Sequence, residues 1–71
     1  MKALIKKRGN KRGRYYQGIT IKEIIRKFMK SKPNLMLIKQ ENYKSHYELL
    51  TIDTKTNRWE LYLIPKNKMK L

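Results

Sequence analysis

The chain contains no cysteine, so disulfide staples, thiolate zinc sites and a cysteine nucleophile are all excluded. Its one histidine, His46, rules out a cluster of imidazole ligands and a pair of histidines acting as acid and base. Acid is also scarce: five carboxylates stand against 19 lysines and arginines, a formal net charge of +14 on 71 residues. No apolar run approaches the roughly 18 to 20 residues that cross a bilayer, and no uninterrupted apolar segment follows the basic start as a secretory leader requires. The chain therefore reads as cytoplasmic. A membrane partner is not expected, because a polybasic segment without a lipid anchor binds bilayers weakly and the one amphipathic stripe is needed for the core.

What is present is positive charge, and it is concentrated. The first fourteen residues, MKALIKKRGNKRGR, hold seven of the 19 cations and no acid, and they run into the pair Tyr15-Tyr16. A chain this basic repels itself when compact, so a polyanionic partner that neutralises part of the charge is expected. Lysine exceeds arginine, and Lys, Asn and Ile are frequent, as in proteins encoded by AT-rich genomes. Codon bias accounts for lysine in place of arginine better than it accounts for the excess of base over acid.

The residue pattern predicts an α+β fold in one small domain, with an amphipathic helix on a mainly antiparallel sheet of three to four strands in the order β-loop-α-β-β-β. Ala3-Leu4-Ile5 starts a strand within a basic segment 1–18. Gly9-Asn10 is a turn candidate, from which residues 12–17 either return to pair with 3–7 or remain a basic loop. Lysines and arginines crowded on paired strands would repel, which favours the loop. A helix is predicted over 19–32, with Thr20 and Glu23 as a capping box and Ile19 and Ile24 as a staple. Ile21, Ile24, Ile25, Phe28 and Met29 make one apolar stripe at helical spacing, and Pro33 ends the helix. Residues 35–64 then read as a β-meander, with a polar turn at 53–57 and a basic tail at 65–71. In the last strand Trp59, Leu61 and Leu63 share one face and are expected to meet the helix, with Tyr62 and Arg58 outward.

Catalytic and cofactor motifs are missing. Gly9, Gly13 and Gly18 lack the GK[ST] ending of a phosphate-binding loop, since Lys11 is followed by Arg12. The acids are scattered. Only Glu48 and Glu60 could oppose each other across adjacent strands, as a pair able to hold a divalent ion or to meet lysines. A non-enzyme without metal or cofactor is the expectation. The RNP motif and second helix of an RNA-recognition module are absent, as are zinc-finger spacing and a helix-turn-helix.

Two functional classes remain. In the first, a nucleic-acid-binding protein for DNA or RNA contacts phosphates through Lys6, Lys7, Arg8, Lys11, Arg12 and Arg14, aided by the helix row Lys22, Arg26 and Lys30 and by stacking of Tyr15 and Tyr16. In the second, a phage or mobile-element protein inhibits or modulates a host nuclease or polymerase by binding an acidic protein or nucleoprotein surface.

Overall fold

The computed structural model describes all residues from Met1 to Leu71. It contains one helix and a five-stranded antiparallel sheet, one strand more than the upper expectation. The elements are β1 (Lys2–Lys7), β2 (Arg14–Gln17), α1 (Ile21–Ser31), β3 (Leu35–Asn42), β4 (His46–Asp53) and β5 (Arg58–Pro65), followed by a 3-10 turn at Lys66–Lys68. The sheet order is β2-β1-β5-β4-β3.

The additional strand is β2. The loop reading of residues 12–17 gives way to a hairpin at 14–17, and the register shows why repulsion does not prevent it. Across the β1–β2 ladder Lys2 meets Gln17, Ala3 meets Tyr16, Leu4 meets Tyr15 and Ile5 meets Arg14, so no cation opposes another. Lys6 and Lys7 pair on the other edge of β1, opposite Leu63 and Tyr62 of β5. The turn is built from local chemistry. Gly9 takes a φ of 90°, the left-handed region that glycine enters freely, and the Asn10 amide donates to the Lys7 carbonyl at 3.0 Å. Gly13 permits the close return, since a Cβ there would lie 2.5 Å from the Ile5 carbonyl oxygen.

The helix forms where its cap predicts. Thr20 is the N-cap, its hydroxyl accepting from the Glu23 amide at 3.2 Å, while the Glu23 carboxylate accepts from the Ile19 amide at 3.4 Å. The staple does not form: Ile19 is 83% exposed. Ile24, Ile25 and Phe28 are buried, with Ile21 and Met29 packed at the margin. The connection at 18–20 is short, so α1 runs back antiparallel to β2 and its C-terminal end returns to the β1–β2 turn.

The core lies between α1 and one sheet face. It comprises Ala3, Ile5, Ile24, Ile25, Phe28, Leu49, Tyr62 and Ile64, with Phe28 edge-on to both Tyr16 and Tyr62 at ring distances of 5.6 and 4.8 Å. The expected facing of β5 is therefore reversed. Tyr62 and Ile64 meet the helix, whereas Trp59, Leu61 and Leu63 lie on the sheet face that the helix leaves open. Alternation could not decide the matter, because β5 is the central strand and is apolar on both faces.

The basic tail is folded as well. Met69 packs on the core, and Lys70 exchanges backbone hydrogen bonds with Lys2 at 2.6 and 2.8 Å. Of the two edge strands, β2 is only four residues long, and β3 carries a register shift between Leu37 and Lys39. Short edges and bulges of this kind discourage pairing with other chains.

The facing makes a direct prediction. Phe28→Ala should cost about 3 to 5 kcal/mol of unfolding free energy by urea titration, the range for a large buried aromatic. Trp59→Ala should cost below about 1 kcal/mol, as a surface change. Equal losses would contradict the assignment of faces.

Candidate nucleic-acid interface

The hairpin turn and the end of α1 enclose a cleft of about 350 Å³. Its walls include Lys7, Arg12, Arg14 and Lys32, the Ser31 hydroxyl, the amide of Asn10 and the rings of Tyr16 and Tyr62, and no carboxylate lines it. Lys6 borders the same cleft, although strand alternation directs its side chain to the open face. A second hollow of about 470 Å³ continues past Lys7, Ser31 and Lys32 toward Asp53 and Glu60. The surface is thus polarised, with cations at the hairpin end and carboxylates beyond.

Of the cleft's cations only Lys7 has a carboxylate partner. Glu23 faces Lys27 at 3.6 Å, Glu41 faces Lys39 at 2.7 Å, Glu48 faces His46 at 3.0 Å and Glu60 faces Lys7 at 3.5 Å. Asp53 accepts from the Lys55 and Thr56 amides and closes the β4–β5 turn. Every acid is therefore occupied. Arg8, Lys11, Arg12, Arg14, Lys22, Arg26, Lys30 and Lys32 have no carboxylate partner, and all eight are exposed. Lys27 is tied down further by donating to the Gln17 carbonyl at 2.7 Å. At the helix end, Lys30 and Lys32 lie against the negative pole of the helix dipole, which would otherwise repel an anion from the cleft.

The structure brings together most of the residues singled out in the sequence. Arg12, Arg14 and Lys7 line the cleft, Arg8 and Lys11 sit on the turn, and Lys22, Arg26 and Lys30 form an exposed row on the outer helix face. The tyrosine pair is divided, because neighbouring residues of a strand point to opposite faces. Tyr16 is half-buried against Phe28, its hydroxyl 3.2 Å from Ser31 Oγ, so its ring is committed to the core and is not free to stack on bases. Tyr15 lies on the open face at 44% exposure, with Lys70 Nζ 5.8 Å from its ring centre. Ser31, Lys32, Asn10 and Tyr62 are cleft residues that the sequence reading missed. For Ser31 and Lys32 the signal is the short 18–20 connection, which returns the helix end to the hairpin, whereas Tyr62 is placed by its pairing with Lys7.

The proposed Glu48–Glu60 pair is not formed. Glu48 lies opposite Leu63 on β5 and opposite Glu41 on β3, while Glu60 lies opposite Thr51. The register of the β4–β5 turn separates the two carboxylates. Glu41 and Glu48 do face each other, and each is met by a residue two positions back on its own strand, Lys39 and His46. No group of three or more His, Asp or Glu side chains is arranged to hold a metal. His46 is fixed at the β3–β4 turn, its ring stacked on Tyr43 at 5.1 Å and its Nδ1 2.8 Å from Ser45 Oγ. No helix is long and apolar enough to cross a membrane. No known protein family, curated protein or solved structure matches the chain.

One cleft residue has a shifted titration. The Tyr62 phenol is raised above its ordinary value of 10.0, first by burial and then by the hydrogen bond it donates to Glu60 at 2.6 Å. The fold therefore favours the protonated phenol. Its contribution to stability is complete below the unfolded pKa near 10.0 and is lost as pH rises through the higher folded value. The melting temperature of the wild type should accordingly fall more steeply between about pH 9 and pH 11 than that of Tyr62→Phe. The variant itself should start lower by about 1 kcal/mol, the usual cost of one hydrogen bond. Parallel alkaline profiles would show that Tyr62 carries no such linkage.

Proposed function

We propose that the protein is a cytoplasmic, non-enzymatic nucleic-acid-binding protein that grips the phosphodiester backbone with its helix-side surface. The carrying observation is the carboxylate-free cleft of Lys7, Arg12, Arg14 and Lys32, flanked by Arg8, Lys11 and the helix row Lys22, Arg26 and Lys30. A phosphate beside guanidinium groups gains charge-assisted, bidentate hydrogen bonds, and Arg12 and Arg14 supply two such forks. The side-chain amide of Asn10 adds a neutral donor that suits phosphate or sugar oxygens, while the Ser31 hydroxyl is spent on the Phe28 carbonyl at 2.6 Å and the Tyr16 hydroxyl on Ser31 Oγ.

The reading implies affinity from counterion release more than from base readout. With about six phosphates neutralised, binding should weaken by roughly a thousandfold between about 50 and 200 mM salt.

Anisotropy titrations with labelled single- and double-stranded DNA and RNA test it. The double variant Arg12→Glu, Arg14→Glu should bind at least about tenfold more weakly, with a salt slope shallower by about two. Lys44→Glu with Lys68→Glu removes the same charge from the opposite end of the sheet, at the β3–β4 turn and the 3-10 turn after β5. That control should weaken binding far less. Equal effects of the two pairs would mean that overall charge, and not this surface, drives association.

A further inference from the structure

The sheet face away from α1 carries a second surface of different chemistry. Along β5 it presents Trp59, Leu61 and Leu63. Beside them stand Leu50 and Ile52 of β4, Leu4 of β1 and Met36 of β3, as the registers and strand alternation place them. Trp59 is 61% exposed and Met36 52%, and Leu4, Leu50, Ile52, Leu61 and Leu63 are only partly covered. None of these seven residues packs against the core cluster. A soluble monomer rarely leaves so contiguous an apolar patch open unless something docks there.

Three occupants compete for this face, and charge and geometry separate them. Nucleic acid is a poor fit, because the residues between the rings are aliphatic and give bases nothing to stack on. Trp59 and Tyr15 also sit at opposite corners, Trp59 at the start of β5 beside Ile52 and Tyr15 two strands away on β2. A second copy is a poor fit as well. The β1–β2 flank of the patch carries Lys2, Lys6 and Lys70 without carboxylate partners, while the two acids on this face, Glu41 and Glu48, are already held by Lys39 and His46. A dimer would therefore join two chains of formal charge +14 with no free acid to meet those lysines.

We infer that the open face docks an amphipathic helix of an acidic partner protein, its apolar stripe along β5 and its carboxylates toward Lys2, Lys6 and Lys70. The sheet's own architecture favours a helix. A central strand apolar on both faces is the pattern of a sheet covered on both sides, and α1 covers only one. The eight residues of β5 span roughly 26 Å, which a helix of about 18 residues matches. This docking does not rest on the nucleic-acid reading, since its apolar residues lie on the opposite face of the sheet and only Lys6 borders both surfaces.

Trp59 is the only tryptophan, so its fluorescence reports on this face alone. The probe is a synthetic helix of about 18 residues, with leucines along one side and glutamates along the other. The expected result is a saturable blue shift of Trp59 with the Leu/Glu helix and none with a Leu/Lys helix of the same pattern. Leu61→Glu should weaken that binding by roughly tenfold or more. Circular dichroism confirms that the variant is folded, and oligonucleotide binding should persist in it. Absence of a blue shift with the Leu/Glu helix overturns the inference. So does a concentration-dependent blue shift of the protein alone, which assigns the face to a second copy, or a shift produced by an oligonucleotide, which assigns it to nucleic acid.

Discussion

The fold depends on β1 being paired on both edges. This strand joins the β1–β2 hairpin to the meander, with Lys2 to Ile5 bonded to β2 and Lys6 and Lys7 bonded to β5. Ala3 and Ile5 enter the core on one side, and Leu4 and Lys6 face the open side. Without this pairing the hairpin would be an isolated two-stranded ribbon, marginal in water, and α1 would lose part of the surface it covers. The most basic part of the chain is therefore held in place by ordinary strand pairing, in a register that keeps cations from opposing one another.

Two surfaces follow from that arrangement. The hairpin turn and the helix end converge on the helix side, where arginines and lysines gather around hydroxyl groups. All five acids are used in local contacts, so the excess positive charge is left facing solvent. On the other side β5 shows an aliphatic stripe with a tryptophan at its start. One helix cannot cover both faces of a sheet whose central strand is apolar throughout.

The parts of this structure that were legible in the sequence are those with local causes. The Thr20 cap, the Ile21 to Met29 stripe, the stop at Pro33 and the 53–57 turn are each written in a few neighbouring residues, and each forms close to its expected place. Facing and pairing were less legible because they depend on distant partners. Trp59-Glu60-Leu61-Tyr62-Leu63-Ile64 fits either orientation, and Phe28, which packs edge-on against Tyr62, decides it. The hairpin looked unfavourable while only its charges were counted, because the repulsion depends on register. Most of the arginines and lysines singled out for the candidate interface stand exposed around the hairpin turn and the outer helix face, but strand alternation turns Lys6 to the open face and Tyr16 into the core. Ser31 and Lys32 were missed, since their membership is set by where the helix ends in space.

On the proposed function the two faces of the sheet have separate chemistry, and the hairpin–helix cleft takes the nucleic acid. Amide chemical-shift mapping of the labelled protein with a short oligonucleotide measures this directly. The expected shifts fall at Arg8, Asn10 to Arg14, Ser31 and Lys32, with Trp59, Leu61 and Leu63 unchanged. Shifts centred on Trp59, Leu61 and Leu63 with the hairpin turn unaffected would contradict it.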